Sequence, residues 1–169
     1  KNEYSESFKG NVFNHIGSVF FERKRYQEAL FYFKKALTFE RSSKGFILLN
    51  IGTIDSENLN KLDSAQIFFN EAYTIFNENK IDYGITAVLI HKGEYQDSKG
   101  NYKKATDYYE KVEQIIKAKK YFELKYTLQR ALIKHYFLLK NYEKVIQYGE
   151  QYLYNNNNND YNIDYVSKM

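Results

Sequence analysis

The sequence contains no cysteine, no proline and no tryptophan, and only 8 of its 169 residues are glycine. Without cysteine the chain has no disulfide, no thiolate nucleophile and no cysteine-ligated zinc, although this absence leaves the compartment open. Without proline nothing interrupts long helices, and the scarcity of glycine makes tight hairpin turns rare. Both shortages favour an all-α fold.

Long apolar runs are also missing, since no stretch approaches the roughly 20 residues that a membrane-spanning helix needs. Lys1 opens the chain without an initiator Met or a signal-peptide pattern, so we expect a fragment of a longer protein. We expect it in the cytoplasm, with a periplasmic or extracellular sensor domain as the alternative. The net charge of +4 comes from 25 basic and 21 acidic residues that are interspersed along the chain. Direct nucleic-acid binding is therefore disfavoured, because it requires a clustered basic surface.

What the sequence has in quantity is apolar and aromatic side chains. Hydrophobic residues make up 43% of the chain, and 18 Tyr with 13 Phe bring the aromatic share to 18%. A chain of this length and composition can bury one core. Flat rings at this density suit packed layers between helices, and tyrosine suits positions where one ring edge stays wet.

Internal repetition is the strongest signal in the sequence. Four segments share a ladder of aromatic or apolar and small residues: RYQEALFYFKKAL from Arg25, LDSAQIFFNEAYTIF from Leu62, NYKKATDYYEKVEQI from Asn101 and NYEKVIQYGEQYL from Asn141. In the first three, a small residue is followed four positions later by an aromatic residue, and three further on by a small or apolar one. These sets are Ala29, Phe33 and Ala36; Ala65, Phe69 and Ala72; and Ala105, Tyr109 and Val112. Such spacing places each set on one face of a helix.

A second helical pattern precedes each segment, and in three cases it carries a glycine, at Gly17, Gly52 and Gly93. This arrangement resembles the tetratricopeptide repeat, in which a small residue on each helix of a pair lets the two helices cross closely. The resemblance implies an all-α fold, a right-handed superhelical solenoid of about four helix-turn-helix pairs. The fourth pair departs most, with Ile133, Val145 and Gly149 at the glycine, alanine and aromatic positions. Its packing is expected to be the least secure.

The pattern predicts eight helices, over about 10–23, 26–40, 44–58, 62–78, 82–98, 102–119, 121–139 and 142–154. The corresponding domain prediction is an N-terminal extension over 1–9, the repeat array over 10–154, and an Asn-rich tail or linker over 155–169. Within the array the four repeats are expected at about 10–43, 45–79, 84–119 and 121–154. Equivalent positions in successive pairs are 35, 41 and 40 residues apart. The later pairs thus gain about two helical turns over the family's usual spacing.

The resemblance also implies a partner, because such arrays bind polypeptides along the first helix of each pair. Carried over from the family, the ligand-facing positions are Asn14, His15, Ser18, Phe21, Leu49, Asn50, Thr53, Glu57, Ile90, His91, Glu94, Asp97, Arg130, Ala131, Lys134 and Phe137. The peptide-binding residues predicted from this set are Asn14, Ser18, Asn50, Thr53, Glu57, Glu94, Arg130 and Lys134. Asparagine can bond a peptide main chain with both sides of its amide, and two cations one turn apart suit a carboxylate. The competing interpretation is that these residues cap local backbone or belong to solvated helix faces.

The lengthened repeats and the phrases NIGTI and SKGNYKKATDYYEKV resemble the arrays of Gram-positive bacterial and phage peptide receptors of the Rap, PlcR, NprR and arbitrium type. This narrower resemblance implies the sensing domain of a regulator that responds to a short signalling peptide. The alternative is a structural adaptor that organises a larger assembly through its convex face or its ends. A C-terminal end rich in apolar residues, including Tyr148, Tyr152, Leu153 and Tyr154, predicts a further covering helix or self-association.

Catalysis and cofactor binding are disfavoured by the sequence. His15, His91 and His135 are the only histidines, and no nucleotide-binding, metalloprotease or serine-hydrolase motif occurs. His15 and His91 hold equivalent positions in the first and third repeats, with a whole repeat between them. Such positions are about 20 Å apart in the stack, so they cannot share one metal ion with bonds near 2 Å. The sequence thus predicts a binding protein without metal or cofactor.

Overall fold

The structure is a computed structural model that describes the backbone of residues 3–39, 43–58 and 61–166, and the side chains of residues 8–39, 43–56 and 61–154. Within these residues the fold is all-α, as the sequence predicts. The eight α-helices are α1 Glu3–Glu22, α2 Tyr26–Leu37, α3 Lys44–Thr53, α4 Leu62–Glu78, α5 Asp82–Ser98, α6 Tyr102–Lys119, α7 Phe122–Leu138 and α8 Tyr142–Val166. A π-helical segment, Ile54–Asn58, continues α3.

Helix bounds agree with the sequence prediction most closely in the middle of the chain. The predicted ranges 62–78, 82–98 and 102–119 are those of α4, α5 and α6. At the two ends the helices are longer than predicted, since α1 begins at Glu3 and α8 runs to Val166 through the asparagine run. The predicted third helix, 44–58, is regular only to Thr53 before it widens into the π-helical segment.

Lysines take the left-handed conformation at four of the helix ends. Lys24, Lys80, Lys120 and Lys140 have φ between 55° and 59°, and Gly100 has φ 75° at the turn between α5 and α6. Glycine is the usual residue at such a helix terminus because a Cβ costs about 1–2 kcal/mol in this conformation. A lysine ammonium partly offsets this cost by its attraction to the partial negative charge of the helix C-terminus.

The chain divides into two compact units, residues 1–88 and 89–169, and α5 contributes its first turns to one and its last turns to the other. In the first unit, helices cross where a glycine faces an aromatic ring. A Cβ on Gly17 or on Gly52 would lie 2.7 Å from a ring carbon of Phe33 or Phe69, respectively. That is well inside the 3.5–4.0 Å or so of ordinary carbon contacts. The predicted role of these small residues is therefore confirmed.

An apolar core lies between the first helix pair and α3 with its π-helical continuation. Its buried members are Ala29, Leu30, Phe33, Ala36, Ile47, Ile51 and Ile54, and partly buried aromatic rings pack around them. Among those rings, Phe20 stacks on Tyr32 with centroids 5.3 Å apart. Burial of each large side chain stabilises the fold by about 1.5–3 kcal/mol.

In the second unit, the α5–α6 pair repeats the crossing with one change. Gly93 lies so close to the Tyr109 ring that any Cβ would overlap it, and Ala105 and Val112 are fully buried beside them. The α7–α8 pair has no glycine–ring contact of this kind, since Ile133 and Gly149 stand at its glycine and aromatic positions, and a Cβ on Gly149 would have no neighbour within 4 Å. There Tyr136 stacks on Tyr148 instead, with centroids 5.5 Å apart and rings nearly parallel.

Candidate functional site

The charged residues predicted on α5 and α7 come together in the second unit. The Nδ1 atom of His91 lies 2.8 Å from Oε2 of Glu94, one turn along α5, and the two side chains are 7% and 20% exposed. Arg130 and Lys134 are exposed and one turn apart on α7. Two exposed cations thus flank a largely buried carboxylate.

Glu94 is ionised by these neighbours. Burial acts to raise its pKa, but the hydrogen bond with His91 and the positive charges of His91, Arg130 and Lys134 outweigh it and hold the pKa below its usual value. Arg130 and Lys134 carry two permanent charges against the single charge of Glu94. An exposed arginine and lysine one turn apart are groups that can bind a carboxylate.

The polar positions of the first unit present a second set of groups. The side-chain carbonyl oxygen of Asn14 is buried and has no hydrogen-bond partner among the described residues. One turn on, the Ser18 hydroxyl donates to the Asn14 backbone carbonyl at 3.1 Å. Thr53 donates in the same way to the Leu49 carbonyl at 2.9 Å, which occupies its hydroxyl locally. Asn50, which follows Leu49 on α3, is half-buried.

Several other family-derived positions are closed to a ligand. Ile90 is fully buried and Ala131 nearly so, and Asp97 is 5% exposed with both oxygens bonded internally. The expectation that Asp97 faces a ligand is wrong, because its carboxylate is buried and hydrogen-bonded within the core. Glu57 belongs to the π-helical segment, and its predicted contact lies outside the described side chains.

A buried polar network in the second unit is the feature that sequence reasoning missed. Asp97 accepts a hydrogen bond from the Tyr109 hydroxyl at 2.9 Å, and its other oxygen lies 2.7 Å from Nδ1 of His135. The Nε2 atom of His135 lies 3.0 Å from the Thr106 hydroxyl, which also lies 3.0 Å from the Tyr102 carbonyl. A possible signal was the hydroxyl of Tyr109, which stands where the first two pairs have Phe and requires a buried partner.

The contacts run from the Asp97 carboxylate to the His135 imidazole to the Thr106 hydroxyl, as in a hydrolase triad. The burial of these groups indicates that the cluster is structural. His135 is fully buried and its ring packs edge-on against Tyr109 and Tyr136. A general base must reach the proton that it abstracts, and a fully enclosed imidazole cannot contact a substrate. Burial and the negative charges of Asp97 and Glu94 also raise the pKa of Tyr109 far above its usual value, which keeps its hydroxyl protonated as a donor.

Metal and membrane features were sought in the same residues. The described side chains contain no group of three or more His, Asp or Glu that could hold a metal ion. Over the same part of the chain, none of the helices combines the length and apolarity needed to cross a bilayer.

Paired helices that cross at a glycine and an aromatic ring define a helical-hairpin repeat protein. The sequence profile of the family described as "Tetratricopeptide repeat" matches residues 11–43 and 86–119, which cover the hairpins α1–α2 and α5–α6. The chain therefore contains tetratricopeptide repeats at these two places, as the spacing of small and aromatic residues implied. No curated protein matches it. Repeats of this class are protein-interaction modules, so a scaffold for polypeptide partners is the role that the family supports.

Proposed function

We propose that the chain binds an extended polypeptide segment through the first helices of its pairs, and that Arg130 and Lys134 receive an acidic side chain or the C-terminal carboxylate. The observation that carries the proposal is the pair of exposed cations beside the single ionised carboxylate of Glu94. In the first unit, Asn14 and Asn50 supply amides for the peptide main chain. Ser18 and Thr53 each lie one helical turn further along the helix from one of these asparagines. The ligand class is thus an acidic or C-terminal peptide.

The more specific role within this proposal is the sensing domain of a bacterial regulator that responds to a signalling peptide. It is supported by the lengthened repeat spacing of 41 and 40 residues and by the segments NIGTI and SKGNYKKATDYYEKV, which resemble segments of such receptors. A short secreted peptide carries a free C-terminal carboxylate, which is the group that paired cations hold best.

A peptide selection would test the proposal. A random library displayed with free C-termini is panned against the chain, and the enriched peptides are titrated by calorimetry. We expect Arg130→Ala and Lys134→Ala each to weaken binding about tenfold, because a shielded charge-assisted bond is worth about 1.5–3 kcal/mol. Asn50→Ala should weaken it by several-fold. Lys103→Ala, an exposed lysine on α6, is the matched control.

The selection has a clear negative result. If the enriched peptides bind wild type, Arg130→Ala and Lys134→Ala with one affinity, the cation pair carries no function. The same conclusion follows if amidation of the peptide C-terminus and removal of its acidic residues leave the affinity unchanged.

A structural adaptor is the second candidate, and exposed apolar residues on α8 favour it. Tyr142, Ile146 and Leu153 are 57%, 61% and 60% exposed, and their spacing puts them with Gly149 along one stripe of the helix. Such a stripe suits a further helix or a second copy of the chain. Sedimentation should then show self-association that Ile146→Asp abolishes. Ile67→Asp, equally exposed on α4, should leave it intact, and a chain that sediments as a monomer would exclude self-association.

A further inference from the structure

A cavity of about 340 Å³ opens in the second unit between α6, α7 and α8. Its apolar floor is formed by Ile116, Leu128 and Leu132, each less than 8% exposed. Lys117, Lys120 and Lys125 line the same cavity and are exposed, so three ammonium groups stand around an apolar hollow. Cavities that bind small molecules have this build, an apolar lining with a few polar groups that orient the ligand.

This cavity is separate from the cation pair of the proposed function. On α7 its residues Leu128 and Leu132 are one turn apart, as are Arg130 and Lys134. The two sets are offset by two residues, which is about 200° around a helix. The cavity and the cation pair therefore occupy opposite faces of α7, and each can be tested without the other.

The charges at the cavity favour an anion. Lys117, Lys120 and Lys125 have no ion-pair partner among the described residues, and Glu113 is the only acidic residue lining the cavity. Tyr148 also lines the cavity, and burial together with the negative charges of Glu113 and of the nearby Glu110 raises the pKa of Tyr148 to about 12. Tyr148 therefore stays neutral, and it can add a hydroxyl to the wall without adding charge.

Inside the cavity one polar contact crosses the lining. The Gln129 amide donates to Oε1 of Gln151 at 3.4 Å, from α7 to α8. Most of the remaining lining is apolar, which favours a ligand that carries its charge at one end only. The volume is near the lower limit for small-molecule sites, about 300–1,000 Å³, which suits a compact molecule rather than a peptide segment.

We propose that this cavity binds a small amphiphilic carboxylate, with its hydrocarbon body on Ile116, Leu128 and Leu132 and its carboxylate at Lys117, Lys120 and Lys125. A medium-chain fatty acid has this chemistry. Ligand in the cavity would contact α6 and α7 at once, so binding would stabilise the second unit by linkage.

The test uses three probes with the same eight-carbon chain and different head groups: octanoate, 1-octanol and octylammonium. Each is titrated into the ¹⁵N-labelled chain while amide resonances are followed by NMR. We expect saturable shifts at the lining residues with octanoate, an affinity for octanol about fivefold weaker, and octylammonium weaker still, because exposed lysines add modest attraction each. Lys117→Gln with Lys125→Gln should reduce octanoate affinity about fivefold and leave octanol unchanged.

Lys103→Gln with Lys104→Gln, two exposed lysines on α6 outside the cavity, is the matched control and should bind octanoate as wild type does. Equal affinity for octanoate and octanol in the wild type would overturn carboxylate recognition, whether or not the lysine variant folds. Shifts confined to the Arg130 and Lys134 face would overturn the site. If the lining resonances move on dilution without any probe, a second copy of the chain fills the cavity and the proposal fails.

Discussion

The two units solve the same packing problem with different chemistry. In the first, Phe33 and Phe69 meet the glycines of the preceding helices in an apolar core. In the second, Tyr109 takes the equivalent position, and its hydroxyl extends into a network with Asp97 and His135. The hydroxyl of Tyr109 thus requires a hydrogen-bond partner from the surrounding helices, because a buried hydroxyl without a partner costs about 1–3 kcal/mol.

This difference also separates the buried polar residues of the two units. Among the described residues, the first unit buries Asp55 and Thr86, and each is bonded within its own helix or to the next one. The network of the second unit links α5, α6 and α7 in one set of contacts. A polar network of this kind fixes which side chains meet, whereas an apolar core tolerates substitutions of similar volume.

Removal of Asp97 is the most severe way to break the second unit. Asp97→Ala leaves Tyr109 and His135 without their shared acceptor, and each buried polar group left unsatisfied costs about 1–3 kcal/mol, so the two together should cost about 2–6 kcal/mol. Urea unfolding followed by circular dichroism measures the loss. Asp107→Ala, at an exposed position on α6, should stay within about 0.5 kcal/mol of wild type. A loss below about 1 kcal/mol for Asp97→Ala would show that the network does not hold the unit together.

Exchange of the aromatic residues tests the comparison in both directions. Phe33→Tyr places a hydroxyl in an apolar core, and Tyr109→Phe leaves an oxygen of Asp97 without its donor, so each should cost about 1–3 kcal/mol in urea unfolding. Each exchange makes the two units more alike, yet both should destabilise. If Tyr109→Phe is neutral while Phe33→Tyr is costly, the hydroxyl of Tyr109 contributes no net stability.

Alanine substitution of the glycines should distinguish the helix pairs that have a glycine–ring contact from the α7–α8 pair, by the sign of its effect on stability. At Gly17 and Gly93 a Cβ overlaps an aromatic ring, and overpacking costs about 1–3 kcal/mol. At Gly149 the space is open, so Gly149→Ala should stabilise by up to about 1 kcal/mol through helix propensity. Thermal unfolding of the three variants gives the signs. Stabilisation at Gly93 would mean that the helices separate without cost.

The smallest expected effect concerns Glu94 and depends on pH. Its folded-state pKa lies below its usual value, so its stabilising contribution is complete above the unfolded pKa and is lost as pH falls through the folded one. The wild type should therefore exceed Glu94→Gln in stability at about pH 6, and the gap should close near pH 3. Urea unfolding at both values measures the gap, with the exposed Glu150→Gln as control. A gap that widens on acidification would contradict the assignment of Glu94 as an ionised partner of these cations.

The sequence by itself determined the pairing of the helices and the bounds of those in the middle of the chain. Bounds at Leu62, Glu78, Asp82 and Ser98 followed from helical periodicity and from the residues that end helices, because these are local properties of the chain. A close helix crossing at Gly93 followed as well from the repeated spacing of small residues, whereas the structure shows that the group facing Gly93 is the Tyr109 ring.

Only the tertiary structure decided which polar groups meet. The family resemblance implied that Asp97 faces a ligand together with Glu94, but the structure buries Asp97 in the core while Glu94 keeps cations beside it. His135 lies 38 residues from Asp97, and the cavity draws its lining from three helices. Helical periodicity predicts which face of a helix a residue occupies. It does not predict which residues pack against that face, because this depends on the neighbouring helices.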